Sequence, residues 1–363
     1  EAFEELESHL LEGFEGGWDS TDIDYNSEDI IRKRMMELNV TRFSAAATMK
    51  MAMELNAAKA AASGWSDFKM AAEKLLGTYN ANYLRTEYNL AVATAQNASN
   101  YIRLKKDMEI LPYWKYQTVG DGRVRSSHQA LDGKVLKADD PIWDNIYPPN
   151  GYGCRCEVIA LSDLDGEELS DSDDALNSLG EEYGKMQERG FDKNRGELAI
   201  VYADAQLYMD AAFGSRLSYK QYGLDSFENL QKTKADIPST SRTYEETKEW
   251  FDDKATDGEI MTDGWDNIPV RLGFDALRKH RYKHKHEGRF NYMEAVLDTI
   301  RNPDEVYLKK LGENRFEMNL FGIYKDEVLM IPVSTDDFEF NIKTWFLLKK
   351  EKDSRRTGIL LRG

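Results

Sequence analysis

The sequence predicts a multidomain protein. A mainly α N-terminal module, built from a long helical hairpin and a small α+β core, precedes an α+β domain with helices first and an antiparallel sheet after them. Three observations predict this. Residues 27–111 contain no proline, are rich in Ala, Met and Leu, and are broken by Ser63–Gly64, a helix stop followed at once by a new start. Residues 113–161 switch to aromatics and turn formers. Beyond residue 305, apolar positions alternate (Phe316/Met318/Leu320 and Ile342/Thr344/Phe346/Leu348), the spacing of half-buried antiparallel strands. At 363 residues the chain suits two or three domains of roughly 100–200 residues.

Taken in order, residues 1–26 are acidic and aromatic and lack a sustained period, which predicts a peripheral arm. Residues 27–165 form the next domain. Ser27 with Glu28 and Asp29 opens a helix, since acids favour its positive end. A second helix is expected from Ser66 to about Ile110, with a break at Gly77 and with Trp65 and Met70 placed as a hydrophobic staple. The stripe of Met35, Met36, Met49, Met51 and Met53 is read as packing. Tyr113–Thr118 and Cys154–Leu161 read as strands, with a loop-rich stretch from Gly133 to Pro149. Residues 166–240 are expected to be an acidic helical extension, with a helix over Glu197–Phe213 and a linker over 214–243. In residues 241–363, helices over Tyr244–Asp253, Phe274–His286 and Asn291–Arg301 lead into strands over Glu305–Lys310, Arg315–Leu320, Glu327–Val333, Glu339–Leu348 and Gly358–Leu361.

Charge is unevenly distributed. The net formal charge is −17, yet residues 1–270 carry 29 Lys+Arg against 50 Asp+Glu, whereas residues 271–363 carry 19 against 15. An acidic body disfavours general contact with phosphate backbones and a basic tail favours it; two solvated surfaces that happen to differ is the alternative. No apolar run approaches a membrane span, and no signal-peptide pattern opens the chain. It begins at Glu1 rather than a methionine, so upstream residues are expected. Two cysteines one residue apart cannot form a disulfide framework, which points to assembly in a reducing cytoplasm.

His128, Cys154 and Cys156 are three soft ligands in one segment, and a structural zinc is the metal they would take, with Asp121 or Asp132 as a fourth ligand. Residues two apart on a strand share a face, so both thiols can point to one site. The alternative is a hydrogen-bonded histidine beside reduced core cysteines. A metal-dependent enzyme at this site is a third, weaker class of function.

The same segment resembles the Mu F-like phage head-morphogenesis (minor head) family. The resemblance rests on Trp114, Thr118, Arg123–Val124–Arg125, His128, Leu131–Asp132–Gly133, Pro148–Pro149–Asn150–Gly151 and Cys154–Arg155–Cys156, with Arg85–Thr86–Glu87, Asn89 and Asn97 upstream. It covers about residues 65–160. It implies a minor virion component, made in the bacterial cytoplasm, that meets portal and capsid proteins and contacts packaged DNA.

In the C-terminal part, Leu277–His286 places three of the five histidines among five basic residues. His280 and His284 share a helix face. Imidazoles beside cations can move protons and hold a phosphate, the equipment of a metal-independent ribonuclease that uses no cofactor; a solvated basic helix is the alternative. Residues 270–363 further resemble the phage-borne nuclease family grouped with barnase, EndoU, tRNA-cleaving colicins and RelE-type toxins. The carrying residues are Lys279–His280, Ile300–Arg301–Asn302–Pro303–Asp304–Glu305–Val306, Ile342–Lys343–Thr344 and Arg355–Arg356–Thr357–Gly358–Ile359–Leu360–Leu361. Carried over residue by residue, the resemblance implies His280 as general acid or base, Lys279 as a phosphate contact and Thr344 as a hydroxyl facing the substrate; the extra pair His284 and His286 departs from the family's pattern, so His284 stands beside His280 as a candidate catalytic histidine. Arg278, Lys279, Lys343 and Arg356 would be the phosphate contacts. RNA, tRNA among the candidates, would be the substrate, cleaved in the host cytoplasm after delivery from the virion, with an immunity protein as a further partner. The competing expectation is a purely structural virion protein whose C-terminal domain binds without cutting.

Overall fold

A computed structural model describes residues 2–21, 27–78, 81–164, 166–206, 208, 217–283, 288–312, 315–336, 338–348 and 352–363. The chain divides into two compact units, Glu1–Asp210 and Ala211–Gly363.

In the first unit the expected arm is a helix, α1 (Ala2–Gly17), packed on α2 (Ser27–Ala61) and α4 (Ala81–Lys106). The reason is close packing against distant residues. Leu10 and Phe14 are fully buried, and Gly13 and Gly17, four apart on the same face, let the backbones close in. A Cβ on Gly17 would lie 2.3 Å from the Val92 carbonyl oxygen, and one on Gly13 2.8 Å from the Tyr88 ring. The α2 stripe splits in two: Met35 and Met36 are buried, whereas Met53 is exposed. From residue 48 to residue 89 no described side chain is buried, so the outer half of α2, all of α3 (Trp65–Thr78) and the start of α4 stand clear of the unit's core. The expected staple is absent because Trp65 lies inside α3 rather than before it. Trp65 rests on Phe68, and Trp65 and Met70 are both exposed. The last long helix ends at Lys106, short of Ile110, which closes a turn onto the Asp107 carbonyl.

The small core sheet has the antiparallel order β2–β1–β3: β1 (Tyr113–Gln117) is central, β2 (Val135–Lys137) falls in the stretch expected to be loop, and β3 is Glu157–Leu161. Around it lie α5 (Ser126–Leu131), α6 (Trp143–Ile146), α7 (Ser172–Asn177), α8 (Glu181–Glu188) and α9 (Arg195–Leu198). The helix expected over 197–213 stops at Leu198, where Ala199 turns left-handed. The chain then follows α2 instead. Asn39 accepts from the Val201 and Tyr202 amides (3.0 and 2.7 Å) and donates to the Tyr202 carbonyl (3.1 Å), while Tyr202 stacks on Phe43. Residues 207 and 209–213 lie outside the described residues.

In the second unit the strands follow the expected order with two additions. β4 (Glu259–Asp263) and β5 (Pro269–Gly273) precede β6 (Glu305–Gly312), β7 (Arg315–Ile323), β8 (Val328–Asp336), β9 (Glu339–Ile342), β10 (Phe346–Leu347) and β11 (Ile359–Arg362). The sheet order is β11–β6–β7–β8–β9–β5–β4, with β10 also on β8. It is mainly antiparallel, but β5 pairs with β9 in parallel, so the sheet is mixed. Helices α10 (Phe227–Gln231), α11 (Tyr244–Lys254), α12 (Phe274–Lys283) and α13 (Met293–Arg301) accompany it. A capping box of Thr243 and Glu246 opens α11.

The linker expected over 214–243 is corrected. Residue 217 onward belongs to the second unit, because Phe227 is buried in a cluster with Tyr307, Phe321, Ile323, Val328 and Met330. The amide of Gly358 also donates to the Leu217 carbonyl (2.8 Å), stitching this strip to the end of the chain. The expected single strand over 339–348 is likewise two. Val333 pairs with Ile342 and Met330 with Phe346, so residues 343–345 stand opposite only Ile331 and Pro332, a β-bulge beside a residue without an N–H.

Two outcomes test this packing. Gly17→Ala should cost about 1–3 kcal/mol in chemical denaturation, whereas Gly16→Ala, with open space around it, should be neutral or mildly stabilising. Glu87, half-buried, lines an apolar groove with Leu6, Met51, Tyr83 and Leu84, and this partial loss of solvent pushes its carboxyl up to about 7. The native state then holds a proton that the unfolded chain releases near 4.5, so this contribution to stability is lost as pH rises towards 7. Glu87→Gln should therefore match the wild type near pH ~4 and exceed its stability by on the order of 1–2 kcal/mol at pH ~8.

Candidate functional sites

The bulge decides where Thr344 goes. In a continuous strand it would share a face with Ile342 and Phe346. With the extra residue, Lys343 is exposed, Trp345 is fully buried and Thr344 is half-buried in the break. There its Oγ1 lies 3.4 Å from His280 Nε2. His280, on α12, is itself buried at 1% exposure, and its ring packs on Trp345 at 4.1 Å between centroids. A neighbouring frame holds Trp345: Arg289 donates to the Trp345 carbonyl (2.6 Å), and the indole donates back to the Arg289 carbonyl (3.3 Å). Sequence reasoning missed Arg289 and Trp345. The tryptophan beside Thr344 was a usable signal; a lone arginine in a loop is none.

Of the cations expected at the phosphate, Arg278, Lys279 and Lys343 are exposed, and Arg278 pairs with Asp275 at 3.0 Å. His284 lies outside the described residues. Arg356 is corrected: it cannot reach a phosphate, because its side chain is 0% exposed and fully engaged. It donates to both carboxylate oxygens of Glu305, to Asp353 Oδ1 (2.8 Å) and to the Asp225 carbonyl (2.6 Å), with Tyr219 and Phe227 over its guanidinium. Tyr307 donates to the same Glu305 at 3.1 Å.

In the first unit, His128 on α5 meets Cys154 and Cys156 just before β3. Its Nδ1 lies 3.7 Å from Cys154 Sγ and 3.4 Å from Cys156 Sγ, and all three residues are buried. Hydrogen bonding from Cys156, with help from His128, holds the Cys154 thiol well below its usual range. The same bond and burial push Cys156 up. Neither expected fourth ligand belongs to this group of three. Asp121 accepts two bonds from Arg155 (2.7 Å each), which hold its carboxyl below the usual range, and Asp132 accepts from the Thr118 amide (2.7 Å) and from Gln129. The Pro-Pro-Asn-Gly turn has a structural role. Asn150 is buried, accepts from the Tyr116 hydroxyl (2.8 Å) and donates to the Tyr147 and Phe191 carbonyls. Of the flanking arginines, Arg123 pairs with Asp121 at 3.6 Å and Arg125 donates to the Tyr152 carbonyl.

The chain thus places a helix-rich unit ahead of a unit built on a mainly antiparallel sheet, and each matches a different family. Residues 5–159 match the family described as Phage Mu protein F like protein, and residues 246–361 match the phage-Barnase-EndoU-ColicinE5/D-RelE like nuclease2 family. The first unit thus carries a stretch similar to the Mu F-like family and the second a stretch similar to that nuclease-like family. Among curated relatives, the Mu-like prophage FluMu F protein of Haemophilus influenzae is 42% identical over 120 residues, 31% of this chain and 27% of the relative. The "Putative capsid assembly protein F" of Escherichia phage Mu is 43% identical over 86 residues, 24% and 20% of the two chains. The matched stretches therefore span about a quarter of these relatives. No solved structure matches the chain. Among the described residues, no helix is long and apolar enough to cross a membrane.

The roles of the arginines separate in a stability test. Arg356→Ala should lower the urea midpoint of the second unit by the equivalent of about 3–5 kcal/mol, since it strands Glu305 as a buried charge. Arg278→Ala should change it by less than about 0.5 kcal/mol.

Proposed function

We propose that this protein is a phage minor head component whose C-terminal domain is a metal-independent endoribonuclease, with His280 as the proton-transfer group. The observation that supports it is the His280–Thr344 contact at 3.4 Å, inside a domain of the nuclease-like family and beside exposed Lys279 and Lys343. In this reading His280 takes the proton from a ribose 2′-hydroxyl, and that oxygen attacks the adjacent phosphorus. The 5′-oxygen then leaves as it is protonated, giving a 2′,3′-cyclic phosphate. Thr344 orients the imidazole, and Lys279 and Lys343 offset the charge gathering on the phosphorane. His284 is the second candidate for the proton that the leaving oxygen needs. The name of the phage Mu relative supports a place in the head for the first unit. That part would join portal and capsid proteins in the bacterial cytoplasm and travel with packaged DNA. The second unit would act on host RNA, tRNA among the candidates, with an immunity protein as antagonist.

One observation favours a second reading. The His280 ring is 1% exposed and packed at a tilt against Trp345, as a purely structural histidine would be. In that case the domain binds a virion partner or nucleic acid without cutting.

The full chain incubated with bulk RNA and EDTA decides between them. Cleavage yielding cyclic-phosphate ends, reduced at least about 100-fold in His280→Ala and by a smaller factor in Thr344→Val, supports the nuclease. Intact RNA at every protein concentration leaves the structural reading.

A further inference from the structure

We propose that His128, Cys154 and Cys156 bind one zinc ion in the first unit, with a water from the adjoining cleft as fourth ligand. The proposal is independent of the nuclease reading, since it concerns residues of the other unit.

The geometry carries it. A tetrahedral zinc with Zn–S near ~2.3 Å and Zn–N near ~2.0 Å sets its nitrogen and sulfur ligands about 3.5 Å apart. The observed Nδ1–Sγ separations are 3.4 and 3.7 Å, and the three ligand atoms lie within 4.8 Å of one another. An ion can enter between them with small side-chain shifts. Two thiols and an imidazole are the soft and borderline donors that zinc prefers over oxygen-rich sites. All three residues are buried, at 3–5% exposure.

The backbone aims the donors. Cys154 and Cys156 are both buried with exposed Arg155 between them, and the Cys154 amide closes a turn onto the Gly151 carbonyl (3.1 Å). Asn97 of α4 reaches the Cys156 carbonyl at 3.4 Å, pinning the second ligand's peptide to the long helix. Zinc at Nδ1 requires the imidazole proton on Nε2. The two thiols release their protons as the ion binds, so charge balances as two thiolates on one dication.

The fourth position is open to solvent chemistry. Asp121 and Asp132 are held by Arg155 and by the Thr118 amide, and Asn150 by Tyr116. Both cysteines line a cleft of about 990 Å³ with Asn97 and Arg155, which can supply a water.

The full chain, purified without chelator or added metal, should carry about one zinc per molecule by elemental analysis, and Cys154→Ser and Cys156→Ser should each fall below about a tenth of that. Because these variants can lose their fold, a second readout uses the wild type. Cobalt(II) exchanged into the chelator-stripped protein should give the thiolate-to-cobalt charge-transfer and tetrahedral ligand-field bands. Zinc below about half an equivalent, or cobalt bound without those bands, overturns the assignment.

Discussion

The buried guanidinium of Arg356 is the constraint on which the second unit depends. Desolvating a cation is costly, and here the cost is offset because groups from two distant parts of the chain, Asp225 with Tyr219 and Phe227, and Glu305 at the start of β6, converge on it together with nearby Asp353. The strip before α11 is thereby part of the domain, although the nuclease-like family match begins only at residue 246. A fragment starting at residue 246 would lack the two rings and the Asp225 carbonyl, leaving the charge partly exposed on a surface built to be dry. The first unit has a parallel device. Arg195, 1% exposed, donates to the Gly190 and Val201 carbonyls, and burial pushes its guanidinium down to about 10.

The fold class was legible because periodicity is a local property. The long helices, the alternating strands β6 to β8 and the helices that precede them follow from residues close in sequence. The misreadings share one cause: the deciding contact lay far away. Nothing within residues 1–26 announces that Gly13 and Gly17 meet Tyr88 and Val92, or that the turn after Leu198 is captured by Asn39. Strands β4 and β5 were missed for the same reason, since β5 is completed by parallel pairing with β9, some seventy residues on.

The candidate sites were legible unevenly. Histidines and cysteines are rare in this chain, so His128, Cys154, Cys156 and His280 stood out by residue type, and the structure brings the first three together and sets His280 beside Thr344. Arginine and aspartate are common, and their side chains are long or readily paired, so residue type says little about their role. Arg356 was read as a phosphate contact and is a buried strut; Asp121 was one of two candidates for a fourth ligand and is half of an ion pair with Arg155. For such residues burial and partner decide, and neither is written in the local sequence.

The bulge at residues 343–345 also fixes a phase. Strand side chains alternate with a period of two, so three residues facing two reverse the alternation between β9 and β10. Loss of one residue here would let the two strands join as one, and whichever side chains remained would keep step with Ile342. The half-buried hydroxyl would then stand either in the core or in solvent, no longer at the imidazole. Registry with β8, rather than the choice of threonine alone, keeps that hydroxyl beside His280.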